Sequence, residues 1–204
     1  MKTKIKILTS VLLIAMTVTL VSFTAPNGWV KKGGAPEKYD AGIDRGAGQN
    51  GVNAATIKSI VKDIDSKSMD GFASLGQSFN PNKFHGKKIK LSGYIKTKDV
   101  TSMASLWMRI DQPTKYSLEN MKNRYVRGNS DWTKCEIILD VPSDAKNIAF
   151  GGLLYGTGQM WFDNLKIEVA NNSDKVLDEL EIGEYEFKAM PNQNPKPANL
   201  DFSK

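Results

Sequence analysis

The stretch GTGQMWFDNLKIEV, from Gly156 to Val169, alternates apolar and polar residues as a β-strand does, but its phase changes midway. The inward candidates are Met160 and Phe162 before the change, and Leu165, Ile167 and Val169 after it. Both halves of the strand stay buried if one extra residue bulges out at Asp163–Asn164. We therefore predict a β-bulge there, with Trp161 on the face opposite the core and beside Trp107.

Short alternating segments separated by turn residues fill the chain before this strand. The clearest strand patterns cover 86–100, 105–111, 131–142 and 147–156, and weaker ones cover 27–36, 38–51 and 54–64. Residues 71–84 are less regular and predict a strand followed by a short helical turn. About eight such strands, with no convincing amphipathic helix longer than two turns, predict an all-β jelly-roll β-sandwich of two antiparallel sheets.

The first 25 residues resemble a secretory signal peptide, with three early lysines followed by an apolar run from Ile7 to Ala25. An uncleaved anchor is the alternative, because a run of about 19 apolar residues could span a bilayer. Removing the three lysines lowers the formal charge from +6 to +3, and the remaining lysines are scattered. We therefore expect a secreted monomer that binds no nucleic acid and, after cleavage, no membrane.

Several segments together resemble a bacterial extracytoplasmic domain of the galactose-binding-like jelly-roll type. They are GKKIKLSGYIKTKDV, ASLWMRID, ENMKNR and SDWTKCEIILDVPSDAKNIAFGGLLYGTGQMWFDNLKIEV, and the resemblance covers Gly28 to Val169. Relatives occur alone or attached to AraC-type transcriptional regulators, and the last strand pattern is shared with many carbohydrate-binding modules of this fold. Glu119 departs from the relatives, which usually have Asp there, and this chain has no helix-turn-helix pattern.

The sequence is therefore predicted to have three regions: a signal peptide (1–25), a jelly-roll domain (26–170) and an acidic, then proline-rich tail (171–204). The tail ends in ANLDFSK, which resembles the strand that usually opens such jelly rolls. We expect Leu200 and Phe202 to dock as a strand near 199–202, as in a partial circular permutation.

The residue types offer little for catalysis. His85 is the only histidine, in a polar loop, and the only cysteine, Cys135, lies on the apolar side of its strand. No zinc site or nucleophile–histidine pair can be built from them. We expect a non-catalytic module in which Cys135 is a buried thiol.

The sequence supports a ligand-binding face better than a catalytic site, because Trp107 and Arg109 point away from the core on one strand and Tyr94 does so on another. An exposed tryptophan is costly unless a ligand, a loop or a partner covers it. The predicted ligand-binding residues are Gln77, Tyr94, Trp107, Arg109, Asn120, Arg124 and Trp161. Aromatic platforms with polar neighbours are typical of sugar sites, so the preferred ligand is carbohydrate or cell-wall glycan. The alternatives are a second small core, covered by the loop 113–130 or the tail, and a protein-interaction domain with no sugar site.

A metal is the last candidate, since jelly rolls of this type often hold a structural calcium near their first and last strands. Asp163 is the predicted ligand, with Asp40 or Asp44 as further oxygen donors. The alternative is that Asp163 accepts backbone N–H bonds at the bulge. No other cofactor is expected.

Overall fold

In the computed structural model, residues 22–64, 71–171, 173–188 and 193–203 are described, and they form a jelly-roll β-sandwich. The strands are β1 (Val30–Gly33), β2 (Tyr39–Arg45), β3 (Asn53–Ser59), β4 (Phe72–Phe79), β5 (Lys87–Asp111), β6 (Lys115–Glu119), β7 (Val126–Val141), β8 (Asn147–Tyr155), β9 (Gln159–Val169) and β10 (Glu181–Glu184). Within the described ranges the only helical turns are two 3-10 turns, and no helix is long and apolar enough to cross a membrane. The all-β prediction is confirmed.

The strands lie in two antiparallel layers that share β5. Layer 1 has the order β1–β4–β8–β5–β6–β10, and layer 2 has the order β2–β3–β9–β5–β7. The first half of β5 pairs in layer 2 and its second half in layer 1, so this one strand crosses between them. The prediction of two separate strands at 86–100 and 105–111 is therefore wrong, because three register shifts bend one continuous strand at this corner.

The predicted bulge in the last strand is confirmed. Between Ser92 and Tyr94 of β5, the paired residues on β9 run from Lys166 to Asp163, one residue more than on β5. Asn164 takes up the bulge with a φ of 52°, a left-handed conformation that asparagine tolerates better than most residues. Met160 and Phe162 are fully buried, and so is most of Leu165 beyond the bulge.

The tail packs on the sandwich. Phe202 is fully buried against the rings of Trp29 and Phe162, with centroid distances of 5.1 and 5.4 Å. Residues 199–202 form no strand, so that part of the prediction is wrong: Leu200 and Asp201 form a turn. The chain reverses there because Asn199 and Phe202 have positive φ angles, 49° and 52°, which a strand cannot accommodate.

Most of the predicted signal peptide, residues 1–21, lies outside the described residues. Its last four residues lie along β2, where the Ile43 N–H donates to the Thr24 carbonyl at 2.9 Å. Segment 71–84 gives β4 and a 3-10 turn at Asn82–Phe84, as predicted, whereas β6 and β10 arise from segments predicted as loop and tail.

Candidate functional site

A groove of about 530 Å³ lies on the outer face of layer 1. Its floor is formed by β4, β8 and β5, and β1 lines one side. Tail residues Tyr185, Gln193 and Asn194 complete the lining. The groove therefore draws on both the sandwich and the tail.

Trp107 lies across the floor of this groove. Trp107, Gly151 and Gly76 are register partners on three neighbouring strands, so a row of glycines stands beside the indole. A Cβ at Gly76 would approach Trp107 Cζ2 to 2.6 Å, which shows that the ring reaches across β8 to β4. The Trp107 Nε1–H donates to the Gly152 carbonyl at 3.2 Å. The absence of a side chain at Gly76 gives the indole room against the floor, and the half-buried ring lines the groove.

Arg109, two residues further along β5, is held rigidly beside this platform. Its guanidinium lies between the rings of Tyr116 and Tyr185, 4.4 and 4.5 Å from their centroids. Its Nε donates to Asp111 Oδ1 at 2.5 Å, and 29% of its side chain remains exposed. These three contacts hold the planar guanidinium of Arg109 in place. Its two terminal nitrogens have no hydrogen-bond partner among the described residues.

A chain of hydrogen bonds links Arg109 to the tail. Asp111 is nearly buried, and its second oxygen accepts from Asn147 Nδ2 at 2.9 Å. The side-chain oxygen Oδ1 of Asn147 accepts a hydrogen bond from Gln193 Nε2 at 2.8 Å. The same nitrogen donates to the backbone carbonyl of Lys146 at 3.1 Å. The carboxylate that orients Arg109 is therefore itself positioned by a tail residue.

Gln77 lines the groove, but its amide is already bonded. Nε2 donates to the Ala198 carbonyl at 2.7 Å, and Oε1 accepts from the Ala198 N–H at 3.0 Å. Only 5% of the residue is exposed. Gln77 therefore acts as a clamp for the tail, and its predicted contact with a ligand stays untested.

Asn120 and Arg124 lie outside the groove. Asn120 lines a second recess on the same outer face, together with Met103, Leu118 and Tyr155. Arg124 donates to the buried Glu119 carboxylate at 2.9 Å and to the Glu136 carbonyl at 3.0 Å. These bonds tie β6 to β7, so Arg124 has a structural role in this arrangement.

Trp161 and Tyr94 lie on the outer face of layer 2, on the far side of the sandwich. Their strand neighbours Phe162 and Ile95 are fully buried between the layers, so both rings point away from the groove. The Trp161 indole N–H donates to Asp44 Oδ2 at 2.7 Å. The expectation that Trp161 lies beside Trp107 is wrong, because β9 belongs to the other layer.

Asp163 accepts backbone N–H bonds with both carboxylate oxygens, from Gln49 at 3.0 Å and Asn164 at 2.6 Å. Burial raises the pKa of this carboxyl despite these bonds. Asp44 accepts a hydrogen bond from the Trp161 indole N–H, and Asp40 accepts hydrogen bonds from the Ser22 hydroxyl and the Phe23 N–H. No group of three potential metal-ligating side chains occurs within the described ranges. The calcium site expected at Asp163 stays a prediction.

Among the groove-lining residues, sequence reasoning missed Asp111, Asn147, Tyr185 and Gln193, and it also missed Tyr116, whose ring packs on Arg109. Asp111 could have been found, since it shares the outward parity of Trp107 and Arg109. Tyr185 and Gln193 carry no such signal, because their position depends on how the tail folds back.

No protein-family model matches the chain. The chain is 39% identical over 149 residues to an uncharacterized HTH-type transcriptional regulator, YbfP, of Bacillus subtilis, an alignment covering 72% of this chain and 49% of the relative. The chain thus spans about half the length of the curated relative it matches.

Three solved structures share the fold at low identity. The CBM22-1–GH10 modules of Clostridium thermocellum xylanase 10B, complexed with xylohexaose, match at TM-score 0.53 and 17% identity over 74% of this chain and 28% of theirs. A putative sugar-binding protein from Bacteroides thetaiotaomicron matches at 0.51 and 12% over 72% and 89%. The C-terminal family 22 carbohydrate-binding module of the Clostridium enzyme matches at 0.50 and 13% over 72% and 89%. The fold is that of carbohydrate-binding modules.

Proposed function

We propose that the protein is a non-catalytic, extracytoplasmic module that binds carbohydrate in the groove of layer 1. The observation that carries the proposal is Trp107, whose half-buried indole lines the groove and contacts the Gly76 position of the floor, which makes it a candidate aromatic platform. A pyranose ring has an apolar face that packs on such a platform, and burying it stabilises the complex through the hydrophobic effect.

The polar groups beside Trp107 suit the hydroxyl groups of the same sugar. Arg109 offers N–H donors in a fixed plane, and Asn194 adds an amide at the tail end of the groove. Because Arg109 is already held by two tyrosines and Asp111, little side-chain entropy is lost when it binds a ligand.

The test is a glycan array followed by titration calorimetry with the best neutral oligosaccharide. We expect Trp107→Ala to weaken binding by about 2 kcal/mol or more, roughly thirtyfold, as for other aromatic anchors. Trp161→Ala is the matched control: it removes the same side chain from the opposite outer face and should leave this affinity unchanged.

Two outcomes would refute the proposal. One is that no glycan binds while the protein is folded by circular dichroism. The other is that Trp107→Ala and Trp161→Ala weaken binding equally, since the groove would then have no special part in it.

A further inference from the structure

The recess that Asn120 lines has a volume of about 540 Å³, close to that of the groove. Met103 of β5, Leu118 of β6 and Tyr155 of β8 contribute to its lining. Residues from the first part of the tail, among them Glu181, line it as well. The outer face of layer 1 therefore carries two cavities of similar size, and the tail helps to form both.

The groove and the recess border each other where β5 pairs with β6. Arg109 lines the groove, and its register partner on β6, Leu118, lines the recess. Side chains of directly paired residues begin about 5 Å apart, so no further strand separates the two cavities. Tyr116 joins them too, because its ring packs on Arg109 while its hydroxyl donates to Glu181 Oε1 at 2.7 Å. The two cavities are thus neighbouring parts of one surface.

The recess combines apolar surface with both hydrogen-bond donors and acceptors. The half-buried ring of Tyr155 is stacked on Phe72, with a centroid distance of 4.8 Å. Asn120 supplies an amide, Lys122 supplies an ammonium group, and two glutamates supply carboxylate oxygens. Charges of both signs line the recess, so it does not select a polyanion. Hydroxyl groups both donate and accept hydrogen bonds, and a sugar ring adds an apolar face, so a neutral glycan matches this lining.

We propose that the recess is a second sugar subsite, which binds further units of the same glycan chain that occupies the groove. One unit packs on Trp107, the chain crosses β5 and β6 beside Arg109, and later units reach Asn120 and Lys122. Because one chain makes both sets of contacts, the second set forms intramolecularly and affinity rises with chain length. This inference rests on the proposed function, since it extends the site of the groove.

The test compares disaccharides with hexasaccharides of the cello-, xylo- and manno- series, using calorimetry for tight binding and NMR titration for weak binding. In the series that binds best, the hexasaccharide should bind roughly tenfold or more tightly than the disaccharide, with one chain per protein molecule.

Variants assign the gain to the recess. Asn120→Ala/Lys122→Ala should weaken hexasaccharide binding about tenfold and leave disaccharide binding unchanged, because only the longer chain reaches these residues. Trp107→Ala should weaken binding of both. The matched control, Asn50→Ala/Lys62→Ala, removes the same groups from exposed positions in the loops on either side of β3 and should bind like the wild type.

Several results would overturn the second subsite while leaving the proposed function intact. One is equal affinity for the two chain lengths when Trp107→Ala weakens both. Another is binding of two disaccharides per protein molecule without any gain for the longer chain, which would make the recess an independent site. Equal losses in the two double variants would also exclude it. Absence of binding to every glycan tested would instead refute the proposed function itself. Variants are compared only after their melting curves show that they are folded.

Discussion

Phe202 provides a sharp test of whether the C-terminal segment belongs to the fold. The ring of Phe202 is buried in contact with Trp29 and Phe162, so it becomes exposed to solvent only if the tail detaches. Around it, the Leu165 N–H donates to the Leu200 carbonyl at 3.0 Å, and Asn53 donates to the Phe202 carbonyl at 3.0 Å. These contacts anchor the last residues to layer 2.

Replacing Phe202 by Ala should lower the free energy of unfolding by about 3–5 kcal/mol, the range for a fully buried phenylalanine. That is a large share of the roughly 5–15 kcal/mol that stabilises an ordinary domain. Urea denaturation followed by tryptophan fluorescence measures the change directly. The control is Tyr125→Ala, which removes an aromatic ring that is 42% exposed and should change stability by less than about 0.5 kcal/mol.

The same experiment reports on the groove. Gln193 and Ala198 lie on the segment that Phe202 anchors, and they bond to Asn147 and Gln77. We therefore expect Phe202→Ala to weaken glycan binding as well as stability. A loss of stability no larger than that of Tyr125→Ala, or truncation before the segment without any change in melting temperature, would refute this account of the tail.

Three further predictions concern single residues. Gly76→Ala should destabilise the fold and displace the indole of Trp107, since its Cβ would lie 2.6 Å from Cζ2; a shift in tryptophan emission and a lower glycan affinity would show this. Burial raises the pKa of Cys135 to about 11, so a thiol reagent at pH 8 should label the native protein roughly a hundredfold more slowly than the urea-unfolded protein. Burial also raises the pKa of Glu119, so the folded state binds the proton more tightly, and this residue's contribution to stability falls as pH rises through that pKa. The unfolding free energy of wild type relative to Glu119→Gln should therefore decrease from pH 4 to pH 8, and a pH-independent difference would contradict it.

Local patterns predicted the strands well where apolar and polar residues alternate over many positions. The change of phase in 156–169 predicted the bulge at Asp163–Asn164, because only one extra residue keeps both Phe162 and Leu165 buried. Alternation also placed Trp107 and Arg109 correctly on an outward face. These inferences rest on period and parity, which the sequence contains directly.

The edges of the layers and the tail were harder to predict. β6 and β10 are short strands that pair with each other across about 60 intervening residues, and neither has strong alternation. Tyr185 and Gln193 reach the groove only because Phe202 and Ala198 fix the path of the tail. Such contacts between distant segments leave no local pattern.

The division of the exposed aromatic residues between two surfaces follows from the corner in β5. Thr97 and Val100 are both buried, three residues apart, and from Ala104 onward the even-numbered residues face the core. The inward parity thus changes once between the two halves of the strand, while the strand passes from layer 2 to layer 1. Tyr94 and Trp107 both point outward by alternation, yet they reach opposite sides of the molecule. Alternation identifies which residues are exposed but not which layer carries them, so the residues predicted for a single site divide between the two outer faces of the sandwich.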